Sequence, residues 1–486
     1  MRRSLPTLGD VIIYLGILLI LFGPKPLALG QAPDRVSYQD VDLGAPDKDA
    51  FKSGWVFVSP NSAHVAYWGG GRGNTVRAPS FTAGDDVCVQ IDGRRDAPFT
   101  MISSVSFSPD GRRAAYFAST KESKGLLLVV DGKAQDHGVS GTKGEPLFSP
   151  DGSRVAYVSQ PDKEQFAMVV DGVKHATFDA IGTVVFSDDG KRVAYAAQRG
   201  EKWCVVIDGS AGTEYASILR DSIRFSPDGK HAVYIAQVAG EKWSLVIDGK
   251  ETPPAPGFIV GSPRFSSDGK KLGVILKLAE DRKQLVINGK PVGEEYQAVS
   301  PFVYSPDGQH TAFCGARNGK WMMVRDDKAC KAYDDVGDPI FCKDGSTLVY
   351  PAKKGDKWCV VVNDVEHQPF ESISEICVSD DGKHVAYAAK HGEQNVLVID
   401  NDVRTGHKLD IGPIAMSPDG RNVAYWWPEE AGHWCLFVGS RLVETYDGMI
   451  KNSRIVFDSN RQAHALAHRD GHVYRVELRF DPGYRM

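Results

Sequence analysis

The residues of this sequence best suited to binding are tryptophans that directly follow a basic residue. Each pair opens a predicted strand, and the pairs recur along the chain as Lys202-Trp203, Lys242-Trp243, Lys320-Trp321, Lys357-Trp358 and His433-Trp434. Tryptophan offers a large apolar surface and a ring face that attracts cations, so a ring of such residues could hold a peptide, a glycan or a partner protein. The alternative is structural, with each tryptophan covering a junction between repeats while the lysines stay in solvent.

A second set of candidates is acidic. We expect Glu145, Asp221, Asp338 and Glu375, with Arg220, to lie in the connections that lead from the last strand of one repeat to the first strand of the next. If the repeats surround a channel, these side chains form a mostly acidic funnel at its mouth. Such a funnel could bind a cation or a basic segment. The alternative is that the charges only keep the connecting loops soluble.

The sequence predicts no catalytic residue, no metal ligand and no cofactor. It contains no GxSxG, HExxH, P-loop or CxxC pattern. A predicted hairpin carries His464, His468 and His472 around Asp470, and it could bring two imidazoles together, although a solvated turn is the commoner outcome for such a pattern. Cys330 and Cys342 are the best candidates for a disulfide, whereas Cys88, Cys204, Cys359 and Cys435 share one strand position in separate repeats and are expected to be buried thiols.

These candidates are set in a repeat whose clearest copy is FSDDGKRVAYAAQRGEKWCVVIDG, residues 186–209. It reads as strand, Asp-Gly turn, strand with a tyrosine, glycine turn, apolar strand and Asp-Gly hairpin, followed by a weaker fourth strand. The aspartates of the first turn recur at 110, 151, 189, 228, 268, 307, 344, 381 and 419. Two degenerate copies flank them, at 59–62 and 458–461, which gives eleven units.

Four short strands in a period of about 40 residues are typical of β-propeller blades. The predicted fold class is therefore all-β, with about eleven four-stranded blades. Natural propellers usually have about four to eight blades, so we expect two propellers in tandem, with six blades in residues 55–290 and five in residues 291–486. The alternative is one large ring, and the uniform spacing of the repeats favours it.

The FSPDG…VAY…VxIDG pattern resembles the WD40-like (PD40) repeat of the bacterial TolB β-propeller, which also occurs in propellers of prolyl oligopeptidase-type peptidases. The resemblance covers roughly residues 50–480 and implies the propeller fold. The chain departs from both relatives elsewhere. No hydrolase domain follows the repeats, and residues 31–54 are too few for the α/β domain that precedes the TolB propeller, so neither activity nor partners are carried over.

The N-terminus predicts export. Residues 1–30 combine Arg2 and Arg3 with the apolar run 11–22 and a small-residue site, which is typical of a secretory signal; an uncleaved anchor is the alternative. Cleavage removes three basic residues and one acidic residue, and it changes the formal net charge from −5 to −7. That charge argues against a nucleic-acid surface. Residues 31–54 are expected to supply a strand, near Phe51, that completes the last blade beside residues 473–478.

The sequence as a whole favours an exported, noncatalytic propeller, periplasmic or extracellular, that binds a protein, peptide or glycan at the cell envelope. The alternative is an enzyme of lyase, glycosidase or lactonase type whose active groups meet in the central channel. The enzyme would need paired carboxylates or a metal at the channel mouth.

Overall fold

The computed structural model describes residues 36–46, 56–69, 87–238, 242–253, 257–429 and 432–481. Within these ranges the chain forms β-strands and turns and no helix. The strands build eleven antiparallel sheets that follow one another along the chain. Each sheet is a blade with four strand positions, named A to D in chain order. The predicted all-β propeller of eleven four-stranded blades is confirmed.

Strand A is continuous in six blades and interrupted in the other five, where two short pieces pair with the same B strand. From blade 1 to blade 11 the A strands are Val56–Val58, Met101–Ile102 with Ser106–Phe107, Gly141–Phe148, Ala180–Phe186, Ser217–Ile218 with Arg224–Phe225, Phe258–Phe265, Ala298–Val299 with Val303–Tyr304, Asp335–Val336 with Ile340–Phe341, Ser372–Val378, Ile414–Met416, and Gly448–Met449 with Val456–Ser459.

The B and C strands form the buried centre of each blade. The B strands are Val65–Gly69, Ala114–Ser119, Val155–Gln160, Val193–Arg199, Ala232–Gln237, Leu272–Ala279, Thr311–Arg317, Leu348–Lys354, Val385–His391, Val423–Pro428 and Gln462–Arg469. The C strands are Cys88–Ile91, Leu126–Val130, Phe166–Val170, Lys202–Ile207, Trp243–Ile247, Arg282–Ile287, Lys320–Arg325, Lys357–Val362, Gln394–Ile399, Trp434–Val438 and His472–Phe480.

The D strands are the last of each blade. They are Arg94–Arg95, Lys133–Val139, Val173–Phe178, Ser210–Ala211, Lys250–Glu251, Lys290–Tyr296, Lys328–Tyr333, Val365–Glu366, Asp402–His407, Arg441–Tyr446 and, for blade 11, Val36–Asp42.

The Asp-Gly turn between strands A and B is held by its own side chains. In blade 4 the buried Ser187 hydroxyl donates to the Asp189 carboxylate at 2.6 Å and accepts the amide of Arg192 at 3.0 Å. Gly190 has a φ of 70°, a conformation that strains any residue with a Cβ. The serine, the aspartate and the glycine are therefore fixed by the turn, which leaves the turn aspartates with a structural role.

The B-strand tyrosines lie at the junctions between blades. Tyr116 is fully buried, and its hydroxyl donates to Asp96, beyond strand D of the preceding blade, at 3.0 Å. Tyr157 and Tyr195 lie 2.9 and 3.2 Å from His137 and His175, which belong to the D strands of their preceding blades. The repeated tyrosine thus buries an aromatic ring and a hydroxyl between neighbouring sheets, as stacked repeats require.

Apolar clusters join each blade to the next and the eleventh to the first. Val65 and Tyr67 of blade 1 pack with Leu466 and Val473 of blade 11. The clusters continue across the expected boundary after residue 290, where Leu285 and Tyr296 of blade 6 pack with Phe313 of blade 7. Residue 290 itself begins strand D of blade 6, so a cut there would divide a hairpin. The eleven blades form a ring.

The N-terminal strand completes the last blade. Val36–Asp42 pairs antiparallel with His472–Phe480, with Val36 opposite Phe480 and Asp42 opposite Tyr474. Asp40 accepts bonds from the Tyr446 hydroxyl at 2.6 Å and from Arg469 at 2.7 Å. The strand that we expected near Phe51 lies outside the described residues, as does the signal predicted at residues 1–30.

Candidate binding face and channel wall

The turns of each blade lie on two opposite faces of the ring. At one end, the amide of Gly200 in a B–C turn donates to Asp179, just before strand A of the same blade, at 2.6 Å. Gly355 and Asp334 repeat this bond in blade 8 at 2.7 Å. The B–C turns and D–A connections therefore share one end, the B–C face. The A–B and C–D turns share the other, the A–B face.

Bonds within the ring occupy much of the A–B face. Arg192 lies 2.9 Å from Asp208 in the C–D turn of its own blade, and it also donates to the carbonyls of Gly229 and Lys230 in the next blade at 3.1 and 3.0 Å. Arg154 and Arg113 repeat this arrangement one and two blades earlier. These arginines hold successive blades together.

Histidines take the arginine's place in four other blades. His64, His231, His310 and His384 pair with Asp92, Asp248, Asp326 and Asp400 at 2.6, 2.7, 2.9 and 2.7 Å. The role of these histidines was not predicted from the sequence. The signal that could have revealed it is the repeated combination of a basic residue before strand B with an aspartate in the following C–D turn.

The tryptophans of the B–C face are partly buried at blade junctions. Trp203, Trp243, Trp321 and Trp434 each pack against the cluster that joins their blade to the next one. Trp358 belongs to no such cluster, and the Lys353 ammonium lies 6.0 Å from its ring centre. The packing supports the structural interpretation of four tryptophans. All five keep part of their surface exposed.

Two of the lysines beside these tryptophans form ion pairs on the same face. Lys320 bonds to Asp334, and Lys357 lies 3.4 Å from Glu371. The Lys320 ammonium, and then the Gly355 amide, hold the pKa of the Asp334 carboxyl below its usual range. The acids belong to the D–A connections and the lysines to the starts of C strands. The face therefore presents lysine, tryptophan and carboxylate side by side.

The four acidic candidates lie within the A strands and not in the connections before them. Glu145 falls where the pairing of Gly141–Phe148 shifts register, and Glu375 occupies a similar shift in Ser372–Val378 with a φ of 52°. Asp221 and Asp338 fall in the gaps between the two pieces of their A strands. Strand A is the inner strand of each blade and lines the channel, because A strands of neighbouring blades contact one another. The expectation was wrong because this strand, where it is interrupted, resembles a loop in sequence.

These positions also correct the prediction of a mostly acidic funnel. Exposed or half-exposed basic side chains lie on or beside the same A strands, namely Lys143, Arg220, Arg224, Arg264, Lys451 and Arg454. Acids are concentrated in neighbouring blades 8 and 9, with Asp335, Asp338 and Glu375. Stacked sheets lie about 10 Å apart, so eleven inner edges enclose a circle up to about 35 Å across. Carboxylates on opposite walls are then too far apart to share an ion.

The histidine hairpin does not assemble a metal site. His464 bonds to Asp458 and to the Asn61 carbonyl, both at 2.9 Å, while His472 lies 3.1 Å from Asp42. Burial is the main reason that the pKa of His468 lies below its usual value. In the part of the chain that the structure describes, no three residues among His, Cys, Asp and Glu are grouped as metal ligands.

None of the eight cysteines forms a disulfide. The pair proposed from the sequence is wrong because Cys342 takes the place of the turn serine, and its thiol donates to Asp344 at 2.9 Å. Burial is the main cause that raises the pKa of Cys204 and Cys359, and it raises that of Cys435 to about 11. Thiols in such surroundings are poor nucleophiles.

Two cavities open between inner strands. One of about 230 Å³ lies between blades 3 and 4, where Lys143, Glu145 and Leu147 face Ile181 and Val184. Another of about 360 Å³ lies between Phe57, Phe107 and Arg454, at the seam of the first and last blades.

No helix in the described ranges is long and apolar enough to cross a membrane.

No family model and no curated protein match the chain. Among solved structures, a eukaryotic initiation factor is 13% identical, with a TM-score of 0.38, over 66% of this chain and 92% of that one. The β-propeller domain of the Trilobed protease from Pyrococcus furiosus is 15% identical, with a TM-score of 0.27, over 55% of this chain and 94% of that one. The computationally designed Ika8 protein is also 15% identical, with a TM-score of 0.30, over 62% and 96%. These scores are too low to carry an argument about function.

Proposed function

We propose that this chain is an exported, noncatalytic propeller that binds a protein or peptide segment through its B–C face. The observation that carries the proposal is the repetition there of partly exposed tryptophans, each next to a lysine or histidine: Trp203, Trp243, Trp321, Trp358 and Trp434. Tryptophan is the residue type most enriched among side chains that dominate binding energy. Because the blade junctions already hold four of these rings in place, little side-chain entropy is lost when a partner covers them.

The polar groups of the face suit a protein partner. Two pairs, Lys320 with Asp334 and Lys357 with Glu371, provide both signs of charge beside their tryptophans, as the polar rims of protein interfaces do. The A–B face is a weaker candidate because Arg192 and its equivalents use their donors inside the ring. Export rests on residues 1–30 alone, and it places the partner at the cell envelope or outside the cell.

The enzyme alternative has less support. A lyase, glycosidase or lactonase needs acids or a metal within a few ångströms of one bond. The four acidic candidates belong to four different blades, and blades 3 and 8 are not neighbours in the ring. The candidates are Glu145, Asp221, Asp338 and Glu375.

Photo-crosslinking from paired positions tests the proposal. A photoreactive amino acid replaces Lys202 or Lys242 on the B–C face, and matched variants replace Lys191 or Lys230 on the A–B face of the same two blades. In the native cell, the B–C positions should capture one common partner and the A–B positions should not. When the photoreactive amino acid replaces Lys357, the additional substitution Trp358→Ala should weaken capture of the partner. Equal capture from both faces would contradict the proposal, and adducts that only glycan-degrading enzymes remove would indicate a glycan ligand.

A further inference from the structure

Two arginines break the pattern of the channel wall in neighbouring blades. Two residues before each A–B turn, blades 5 and 6 carry Arg224 and Arg264. The other nine blades carry an uncharged residue there: Phe57, Ser106, Leu147, Val185, Val303, Ile340, Cys377, Ala415 and Val456. A substitution of this kind at two consecutive repeats, and in no other blade, calls for a local reason.

In five blades this position packs toward the next blade. Val185 belongs to the cluster joining blades 4 and 5, and Cys377 to the cluster joining blades 9 and 10. Arg224 therefore stands at the junction of blades 5 and 6, where Ile235, Ile259 and Leu276 form the buried part of the apolar cluster. A charge placed at this junction replaces apolar contacts, which costs stability unless something compensates it.

The described residues give that compensation only in part. Arg224 is half-buried and donates to the Ile223 carbonyl at 2.6 Å, while Arg264 is exposed on the wall. Within the described ranges, no carboxylate forms an ion pair with either guanidinium. Burial, and then the nearby charge of Arg264, lower the pKa of Arg224, and Asp221 acts in the opposite direction. The two like charges are close enough to repel each other.

Hydrogen bonds around the pair join neighbouring blades along the wall. The Asp221 carboxylate accepts the Thr183 hydroxyl of blade 4 at 2.6 Å, and the Asp221 carbonyl accepts the Ser262 hydroxyl of blade 6 at 2.5 Å. These bonds join three successive A strands. Arg220 is a further exposed cation in the same gap. With Arg220, Arg224 and Arg264 against one carboxylate, this part of the wall has a net positive charge.

We propose that Arg224 and Arg264 form a binding site on the channel wall for a tetrahedral dianion, phosphate or sulfate, free or as an ester. The planar guanidinium forks match oxyanion geometry, and each can give two parallel hydrogen bonds. A dianion between them offsets both charges. The site is distinct from the tryptophans of the B–C face, so it stands or fails independently of the proposed function.

Isothermal titration of the purified protein with sodium phosphate, against sodium chloride at matched ionic strength, tests the site. Arg264→Gln removes an exposed guanidinium group that makes no hydrogen bond or ion pair to the described residues. Arg224→Val introduces the valine that blades 4 and 7 carry at this position. Each should weaken phosphate binding about tenfold or more. Arg454→Gln, an exposed cation on the wall of blade 11, is the control and should bind phosphate unchanged.

The remaining results are equally decisive. Sulfate should compete with phosphate, and O-phosphoserine should bind more tightly than phosphate if the natural ligand is an ester and more weakly if it is the free ion. Absence of binding beyond chloride would overturn the proposal, and so would equal weakening in all three variants. Arg224→Val should also raise the melting temperature in chloride, because apolar contacts return to the junction.

Discussion

The Nε2 atom of His464 donates to the carbonyl of Asn61 at 2.9 Å, across 403 residues of sequence. This bond joins strand B of the last blade to the A–B turn of the first. The apolar cluster of Val65, Tyr67, Leu466 and Val473 lies at the same junction. The two ends of the repeat array therefore meet through a specific contact, as every other pair of neighbouring blades does.

Removal of this histidine should weaken the junction. His464 is only 7% exposed, so His464→Ala leaves the Asn61 carbonyl and the Asp458 carboxylate without their partner. We expect a loss of about 1–3 kcal/mol in the free energy of unfolding, measured by denaturant titration. His433→Ala is the control, because that side chain is about half exposed. Equal effects of the two substitutions would contradict the assigned role.

The arginine that joins blade 4 to blade 5 should contribute measurably. Arg192→Gln removes its bonds to Asp208, Gly229 and Lys230. Because the side chain is 32% exposed, solvent screens part of the effect, and we expect a loss of about 1 kcal/mol in unfolding free energy. Lys191→Gln, which changes a neighbour that is 80% exposed, should have almost no effect. A neutral Arg192→Gln would show that the blades do not depend on this link.

Glu375 should be a site of backbone strain. Its φ of 52° is left-handed, a conformation costly for a residue with a long side chain, and blades 3 and 6 have Gly144 and Gly261 at positive φ in the corresponding part of strand A. Glu375→Gly should therefore raise the free energy of unfolding by about 1 kcal/mol. Glu145→Gly is the comparison, since Glu145 is not left-handed and should lose stability. A destabilised Glu375→Gly protein would contradict this account.

The A–B turns should make stability depend on pH in acid. The Ser149 hydroxyl, followed by the Ser153 hydroxyl, lowers the pKa of Asp151 to about 2, from a usual value near 4. A carboxyl with a depressed folded-state pKa stabilises the protein fully above its unfolded pKa, and that stability is lost as pH falls toward 2.

Ser149→Ala should accordingly raise the Asp151 pKa and flatten the fall in stability between about pH 4 and 2. Carboxyl NMR titration and denaturant titrations across that range would measure both effects. An Asp151 pKa that is unchanged in Ser149→Ala would show that the hydroxyl is not the cause. Ser153→Ala, which removes the second donor in order of effect, should shift the pKa less.

The fold was largely predictable because its signals are local. Turns such as Ser187 to Gly190 and strands such as Val193–Arg199 are specified by a few adjacent residues, and they repeat at a constant period. The order of strands then follows from chain order. The arrangement of the blades was harder to predict, since a ring and two smaller propellers use the same repeats. The two arrangements differ in which blades meet, at the junction of Tyr296 with Phe313 and at the junction of the first and last blades.

The candidate site was less predictable because it depends on contacts between repeats. Glu375 and Asp221 read as loop residues, and only the register of their strands shows that they belong to the channel wall. The histidines before the B strands have aspartate partners that lie 16 to 28 residues away along the chain, so the pairing is not a local signal. An alignment of the eleven repeats, searched for residues that depart from the common pattern, could have revealed Arg224 and Arg264.

The most direct test of the account is electron microscopy of the purified protein with averages viewed along the channel. One closed ring of eleven blades around a wide opening is the predicted result, with the last blade against the first. Two smaller propellers connected near residue 290 would contradict it. That result would also remove the shared channel wall on which the positions of Arg264 and Glu375 depend.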